Sequence, residues 1–231
     1  MALPILETPT YELTLPSNGK KIKYRPFLVK EHKVLLTLAE ASEDEVSRMV
    51  RDLVDACTFG KLQVSKLPHF DIEYIFLLLR AKSISETVEV VINCECGNKI
   101  ETSYNIEDVK IEKEPGHSNI IPLTANYSIE MNYPVFDDVV NVISSEKTDD
   151  IVDLIAHSIK GVYSDNEYFE AQDQTEQELR DFVESFTKSQ FELLEKFFTT
   201  SPKVVQTIES DCTECGKHNV TKLTGLQNFF V

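Results

Sequence analysis

Two short cysteine clusters constrain this chain more than any other feature. The first is Cys94-Glu95-Cys96-Gly97 and the second Cys212-Thr213-Glu214-Cys215-Gly216. Each follows a run rich in β-branched residues, Thr87 to Ile92 and Val204 to Ile208. A polar pair comes after each glycine (Asn98-Lys99, Lys217-His218), and strand-forming residues then resume. This pattern predicts two β-hairpins with cysteines at their tips. Glycine suits such a tip, because the chain reverses tightly there and glycine takes a positive φ without steric cost. Two tips brought together supply four thiolates, a set that zinc binds tetrahedrally to pin small structures. Cys94, Cys96, Cys212 and Cys215 are therefore the expected metal ligands. Zinc is the expected ion, with an iron–sulfur cluster as the alternative cofactor.

Other chemistry fits these cysteines less well. Disulfides belong to oxidising compartments. The opening residues, Met1-Ala-Leu-Pro-Ile-Leu6, lack the basic lead and long apolar segment of a secretion signal. A bridge between Cys94 and Cys96 would also close a very short, strained loop. A redox Cys-x-x-Cys pair usually sits beside a βαβ pattern, whereas Cys212 to Gly216 lies between two strand-like runs. The first pair has Cys-x-Cys spacing, less specific than the second. His218 is a possible substitute ligand. The fifth cysteine, Cys57, ends an amphipathic run and reads as core packing. A site of four thiolates has no open position for substrate, so its expected role is structural. Cys96 and Cys212 stand half the chain length apart, and a shared ion would tie the end of the chain to its middle.

With 231 residues, the chain is long enough for a sizeable core. The remaining sequence alternates between strand and helix signals and predicts an α+β protein with an N-terminal β-hairpin, a helical bundle core and a zinc-ribbon-like β-unit. Tyr11 to Leu15 and Lys21 to Arg25 alternate around the turn Pro16-Ser17-Asn18-Gly19-Lys20. A helix is expected after Phe27, with Val34, Leu35, Leu38 and Ala41 on one stripe. A second starts at the capping-box-like Ser42-Glu43-Asp44-Glu45 and ends at Thr58-Phe59-Gly60. A third, from Asp71 to about Ser83, is apolar nearly all round and so belongs in the interior. From Ile106 to Tyr133 the reading is β or irregular. Helices are expected at Phe136–Ser145, Asp149–Ile159, Gln177–Phe186 and Ser189–Phe198, with Val162–Tyr168 a loop or short hairpin. The expected division is 1–85 (hairpin plus helices), 86–133 (first cysteine hairpin), 134–200 (helical) and 201–231 (second cysteine hairpin and tail). These form one composite domain in which 86–104 pairs with 203–225.

A net charge of −16 argues against binding nucleic acid backbones and suits a partner with a basic face. The excess is densest from Asp165 to Glu184. No apolar run approaches the length of a membrane span. The chain's seven glycines form no phosphate-binding loop, and there is no His-Glu-x-x-His or nucleophile elbow. Acidic pairs such as Glu43-Asp44 and Asp149-Asp150 fall at helix starts, where they favour the dipole. No catalytic residues and no small-molecule substrate are expected. The tail Leu226-Gln227-Asn228-Phe229-Phe230-Val231 ends in two phenylalanines, either docked on their own domain or anchoring a partner.

Two segments carry a family resemblance. One is Tyr24-Arg25-Pro26-Phe27-Leu28-Val29-Lys30-Glu31-His32-Lys33-Val34-Leu35-Leu36. The other is Cys57-Thr58-Phe59-Gly60 followed by Leu67-Pro68-His69-Phe70-Asp71-Ile72-Glu73-Tyr74-Ile75-Phe76-Leu77-Leu78-Leu79-Arg80-Ala81-Lys82-Ser83. In this order, before a cysteine hairpin, they resemble the baseplate-hub protein family of T-even-type contractile-tail bacteriophages. The N-terminal half carries the motifs; the C-terminal half matches in length and helical character. The resemblance implies a non-enzymatic role in building the hub, through contacts with other baseplate hub or tail proteins. The chain would be found in the virion tail or in host cytoplasm during assembly. Arg25, Pro26, Phe27, Phe229 and Phe230 are the candidate partner contacts, with Arg25 to Phe27 alternatively locking the hairpin to the helices. The competing reading is a metal-binding enzyme or regulatory adaptor unrelated to tails.

Overall fold

The computed structural model describes residues 6–36, 43–145, 148–165 and 167–225. In chain order the elements are β1 (Tyr11–Thr14), β2 (Lys21–Tyr24), α1 (Val29–Leu36), α2 (Glu43–Cys57), α3 (His69–Ser83), β3 (Thr87–Asn93), β4 (Lys99–Asn105), β5 (Lys110–Glu112), β6 (Ile120–Pro122), β7 (Tyr127–Met131), α4 (Phe136–Ser145), α5 (Thr148–Ser158), β8 (Ile159–Ser164), β9 (Glu167–Glu170), α6 (Glu176–Glu184), α7 (Lys188–Thr200), β10 (Lys203–Asp211) and β11 (His218–Thr224). The protein is thus α+β. It divides into two compact units, one of Met1–Val64, Phe70–Glu112 and Lys203–Val231, the other of Ser65–His69 and Lys113–Pro202. Among the described residues no helix is long and apolar enough to cross a membrane.

The first unit holds the cysteine hairpins. β3 buries Val88, Val90 and Ile92 and exposes the residues between them, the alternation of a half-buried strand. It pairs antiparallel with β4 up to Asn93↔Lys99. β10 pairs with β11 up to Asp211↔His218. The other edge of β10 takes β5, with Val204 opposite Ile111. α3 is the buried helix of this unit: Phe70, Ile72, Ile75, Phe76, Leu77 and Leu79 are each 1% exposed or less.

α3 also buries a charge that the sequence does not advertise. Asp71 is fully buried and takes two hydrogen bonds from the β1–β2 turn, from Ser17 N at 3.0 Å and Ser17 Oγ at 2.5 Å. These bonds hook the tip of the N-terminal hairpin onto the first turn of α3, which explains how a hairpin with few apolar residues is held. Burial pushes the Asp71 carboxyl above its ordinary range, against the pull of the Ser17 bonds. A carboxyl raised in the folded state binds its proton more tightly there, so its contribution to stability grows as pH falls through the carboxylate range. The Ser17 hydroxyl serves the ionised form. Ser17→Ala is therefore expected to destabilise the fold by roughly 1.5–3 kcal/mol at neutral pH. The loss should shrink as pH falls through the carboxylate range and Asp71 takes up its proton. Urea unfolding across a pH series from neutral to acid checks this; a loss that stays constant with pH would assign the bond to the neutral carboxyl.

α1 departs from the expected stripe. Its one buried residue among those described is Glu31, while Val29 and Leu36 are 73% and 69% exposed. The helix is held by a charge rather than by an apolar face. Leu38, Ala41 and the Ser42 cap lie outside the described residues.

The second unit is a four-stranded antiparallel sheet in the order β6-β7-β8-β9. Ile121, Ile129 and Met131 from the sheet meet Val152, Ile155 and Ala156 of α5, Val183 of α6, and Leu194 and Phe197 of α7 in one core. α6 and α7 each begin with a reciprocal capping box, Thr175 with Glu178 and Thr187 with Gln190. Of the stretch 162–168, Val162 to Ser164 lie in β8 and Glu167 and Tyr168 in β9, and the two strands complete the sheet.

Candidate metal centre

Both cysteine loops are built the same way. In the first, Cys94 N donates to Asn98 O and Gly97 N to Cys94 O, each at 2.9 Å. In the second, Cys212 N donates to Lys217 O and Gly216 N to Cys212 O, each again at 2.9 Å. Gly97 and Gly216 have φ of 90° and 69°. A Cβ added at either would meet nothing within 4 Å, so backbone conformation and not space requires glycine. The first loop is one residue shorter, which accounts for Cys-x-Cys against Cys-x-x-Cys.

The fold brings all four predicted ligands together. The Sγ atoms of Cys94, Cys96, Cys212 and Cys215 lie within 4.8 Å of one another. Each hairpin's first cysteine faces the other's second: Cys94 to Cys215 at 3.7 Å and Cys96 to Cys212 at 3.6 Å. A single zinc ion with Zn–S bonds of about 2.3 Å needs sulfur–sulfur edges of about 3.8 Å. A disulfide needs about 2.05 Å, and all the cysteines are free thiols. The four sulfurs are therefore spaced compatibly with one shared metal ion. Cys94 and Cys212 are buried, while Cys96 and Cys215 face solvent.

Electrostatics in the metal-free set point the same way. The Cys215 backbone N–H and then the Asn98 side-chain amide bring the Cys212 thiol down to about 6, against the effect of burial. The Asn98 backbone N–H favours a thiolate at Cys96 too. Proton sharing with the sulfurs of Cys215, Cys94 and Cys212 outweighs it, and that thiol is pushed up to about 12. One thiolate forms readily at neutral pH, but further negative charge in the same small space needs a cation.

Two residues that sequence reading passed over as turn formers support the site. Asn98 Nδ2 lies 3.5 Å from both Cys212 Sγ and Thr213 Oγ1, reaching from one loop to the other. Lys217 Nζ pairs with Glu95 at 2.5 Å, again across the two tips. This ion pair is exposed and contributes little by itself. The available signal was positional: Asn98 and Lys217 each follow the glycine of their loop. His218 stands outside the sulfur set and bonds Asp211 Oδ1 through Nδ1 at 2.8 Å. Cys57 is fully buried beside Arg25, and burial pushes its thiol up to about 11.

Three of the candidate partner residues, Arg25, Pro26 and Phe27, sit elsewhere in the same unit. Arg25 is buried; its Nη2 meets Glu31 Oε1 at 3.0 Å and Ala56 O at 3.3 Å, and its backbone N–H bonds Cys57 O at 3.0 Å. Pro26 and Phe27 are half-buried. Phe27 N donates to Ser83 Oγ at 2.8 Å, and the Phe27 ring lies 6.1 Å from that of Phe76. Phe229 and Phe230 lie outside the described residues.

The family model described as T4 bacteriophage base plate protein matches residues 8–231. The chain is 27% identical over 222 residues to the baseplate hub assembly protein gp26 of Enterobacteria phage T4, covering 95% of this chain and 97% of that protein. No solved structure matches. A match running through both units and both cysteine hairpins, on a chain with the expected hairpin, helix and cysteine order, assigns the family: this chain belongs to the T4 bacteriophage base plate protein family.

Proposed function

We propose that this protein is a non-enzymatic component of a contractile phage tail that acts in the structure or assembly of the baseplate hub through protein–protein contacts. The observation that carries this reading is the end-to-end similarity to a baseplate hub assembly protein. The acidic surface and the closed character of a four-thiolate site agree with it. Its partners are other baseplate hub or tail proteins, not nucleic acid, membrane or a small-molecule substrate. It works in the virion tail or in host cytoplasm during assembly.

Zinc is the cofactor of this reading. Cys94, Cys96, Cys212 and Cys215 would hold it, and the ion would supply structural cross-linking. The close sulfur spacing favours one ion over an iron–sulfur cluster, whose bridging sulfides hold the ligand sulfurs farther apart. Residues 86–104 and 203–225 then act as one zinc-ribbon-like unit, with 1–85 as hairpin plus helices; the expected helical region 134–200 also carries the β8–β9 strands. Arg25 locks the hairpin to the helices. Partner contact runs through Pro26, Phe27 and the terminal Phe229 and Phe230.

Affinity purification of the full chain from phage-infected cells tests the assembly role. A stable complex with hub or tape-measure proteins is expected. Recovery of free chain alone, at expression levels matching infection, would contradict it.

A further inference from the structure

The four-stranded sheet has two edge strands, β6, which carries Pro122, and β9. β9 pairs with β8 on one side, and among the described residues no strand pairs with the other. All four of its residues are exposed. An open edge presents backbone N–H and C=O groups that can template another strand, and proteins commonly guard such edges with lysine, proline or a covering segment. β9 reads Glu167-Tyr168-Phe169-Glu170 and contains neither lysine nor proline.

Its aromatic side chains are set on both faces of the sheet. The register places Tyr168 opposite Tyr163 and Phe169 opposite Val162, so the two rings flank the rim from opposite sides. Tyr168 is held in place. Its hydroxyl donates to Glu130 Oε2 at 3.0 Å, beside that of Tyr163 at 3.1 Å, and the two rings are 4.6 Å apart. Gly161 makes room for it: a Cβ there would lie 2.5 Å from the Tyr168 ring. Lys160, the cation on this face, is committed to Glu130 at 2.7 Å. Phe169 remains 46% exposed. A rigid tyrosine and an exposed phenylalanine beside an unpaired edge supply the anchoring contacts that protein interfaces favour.

Charge selects the occupant. Glu167 and Glu170 bracket the strand, with Asp165 before it and Asp173 after it. A second copy of β9 added antiparallel would set glutamates against glutamates, which is unfavourable for directly facing cross-strand pairs. We infer that β9 is the docking edge for an extended segment of a different protein carrying lysine or arginine, which adds as a further strand of this sheet. The inference stands apart from the metal site, since β9 and the cysteines belong to different units.

Selection of short random peptides on the purified full chain tests it. Enriched peptides are expected to alternate basic with β-branched or aromatic residues and to slow amide hydrogen exchange at 168–170. The variant E167K/E170K, altered at exposed positions, should melt like wild type and bind them roughly tenfold more weakly. Several results would overturn the inference: no enrichment, enrichment of acidic or helically spaced peptides, exchange protection at another site, or undiminished binding by the variant. So would a dimer of wild-type chain that E167K/E170K dissolves, which would make the occupant a second copy.

Discussion

Replacing Cys212 and Cys215 together by serine is expected to abolish metal binding and to cost the first unit its cooperative fold. The two sulfurs come from one hairpin and face Cys96 and Cys94 of the other. Serine keeps the size of each side chain but offers no thiolate, and two remaining thiolates hold zinc poorly. The magnitude follows from scale. Structural zinc contributes about 10–16 kcal/mol of apparent binding energy in small zinc-folded peptides. Whole domains are stable by only about 5–15 kcal/mol. Bound zinc should fall from about one equivalent to none, and the melting temperature by about 20 °C or more. Chelation of the wild type should reproduce the effect. Cys57→Ser is the internal control, because Cys57 is buried outside the sulfur set and its loss should leave the metal in place. A double variant that retains metal and melts like wild type would remove the four-cysteine site from this account.

Arg25→Ala should be the most damaging single change away from the metal. Its guanidinium and the Glu31 carboxylate are 11% and 8% exposed and meet at 3.0 Å. Burial acts to raise the Glu31 carboxyl, but the bonds from Arg25 and from Leu28 N at 2.6 Å outweigh it and hold Glu31 below its ordinary range. Removing Arg25 leaves the buried Glu31 carboxylate only the Leu28 N–H and the exposed Lys30 amine at 3.5 Å, and breaking a buried pair typically costs about 3–5 kcal/mol. Because the folded carboxyl is depressed, the pair's contribution is present above the ordinary carboxylate range and lost as pH falls through the folded value. The penalty of Arg25→Ala should therefore be largest near neutrality and smaller in acid. Replacing both partners by apolar residues, Arg25→Met with Glu31→Leu, should recover most of the loss, since an apolar pair often substitutes for a buried ion pair. Denaturant unfolding of the three variants decides it. A single-variant loss below about 1 kcal/mol would mean that the pair is effectively solvated.

How much of this was legible in sequence depends on range. The cysteine tips could be read because each signal is local: β-branched run, cysteines, glycine, then strand again. The interior position of α3 followed from its unbroken apolar composition. The capping boxes of α6 and α7 are local too, though Thr175 and Thr187 received no weight. What escaped was set by partners far along the chain. Nothing beside Asp71 announces Ser17, 54 residues earlier, as its hydrogen-bond donor. Val34 and Leu35 suggested a buried apolar stripe on α1, yet the group that α1 buries is Glu31, because Arg25 waits for it in the preceding strand end. The pairing of β5 with β10 joins strands separated in sequence by residues 113–202, and no periodicity within either strand encodes it. At the candidate site the four ligands were named from spacing alone, but the support from Asn98 and Lys217 exists only once two distant tips face each other.

The most direct test of the metal-stapled fold is native mass spectrometry of the full chain purified without added metal or chelator. A single species carrying one zinc ion is expected, which a chelator at neutral pH converts to metal-free chain in which Cys94, Cys96, Cys212 and Cys215 become alkylatable. A metal-free native mass with those thiols already reactive, or a mass showing iron with inorganic sulfide, would contradict it.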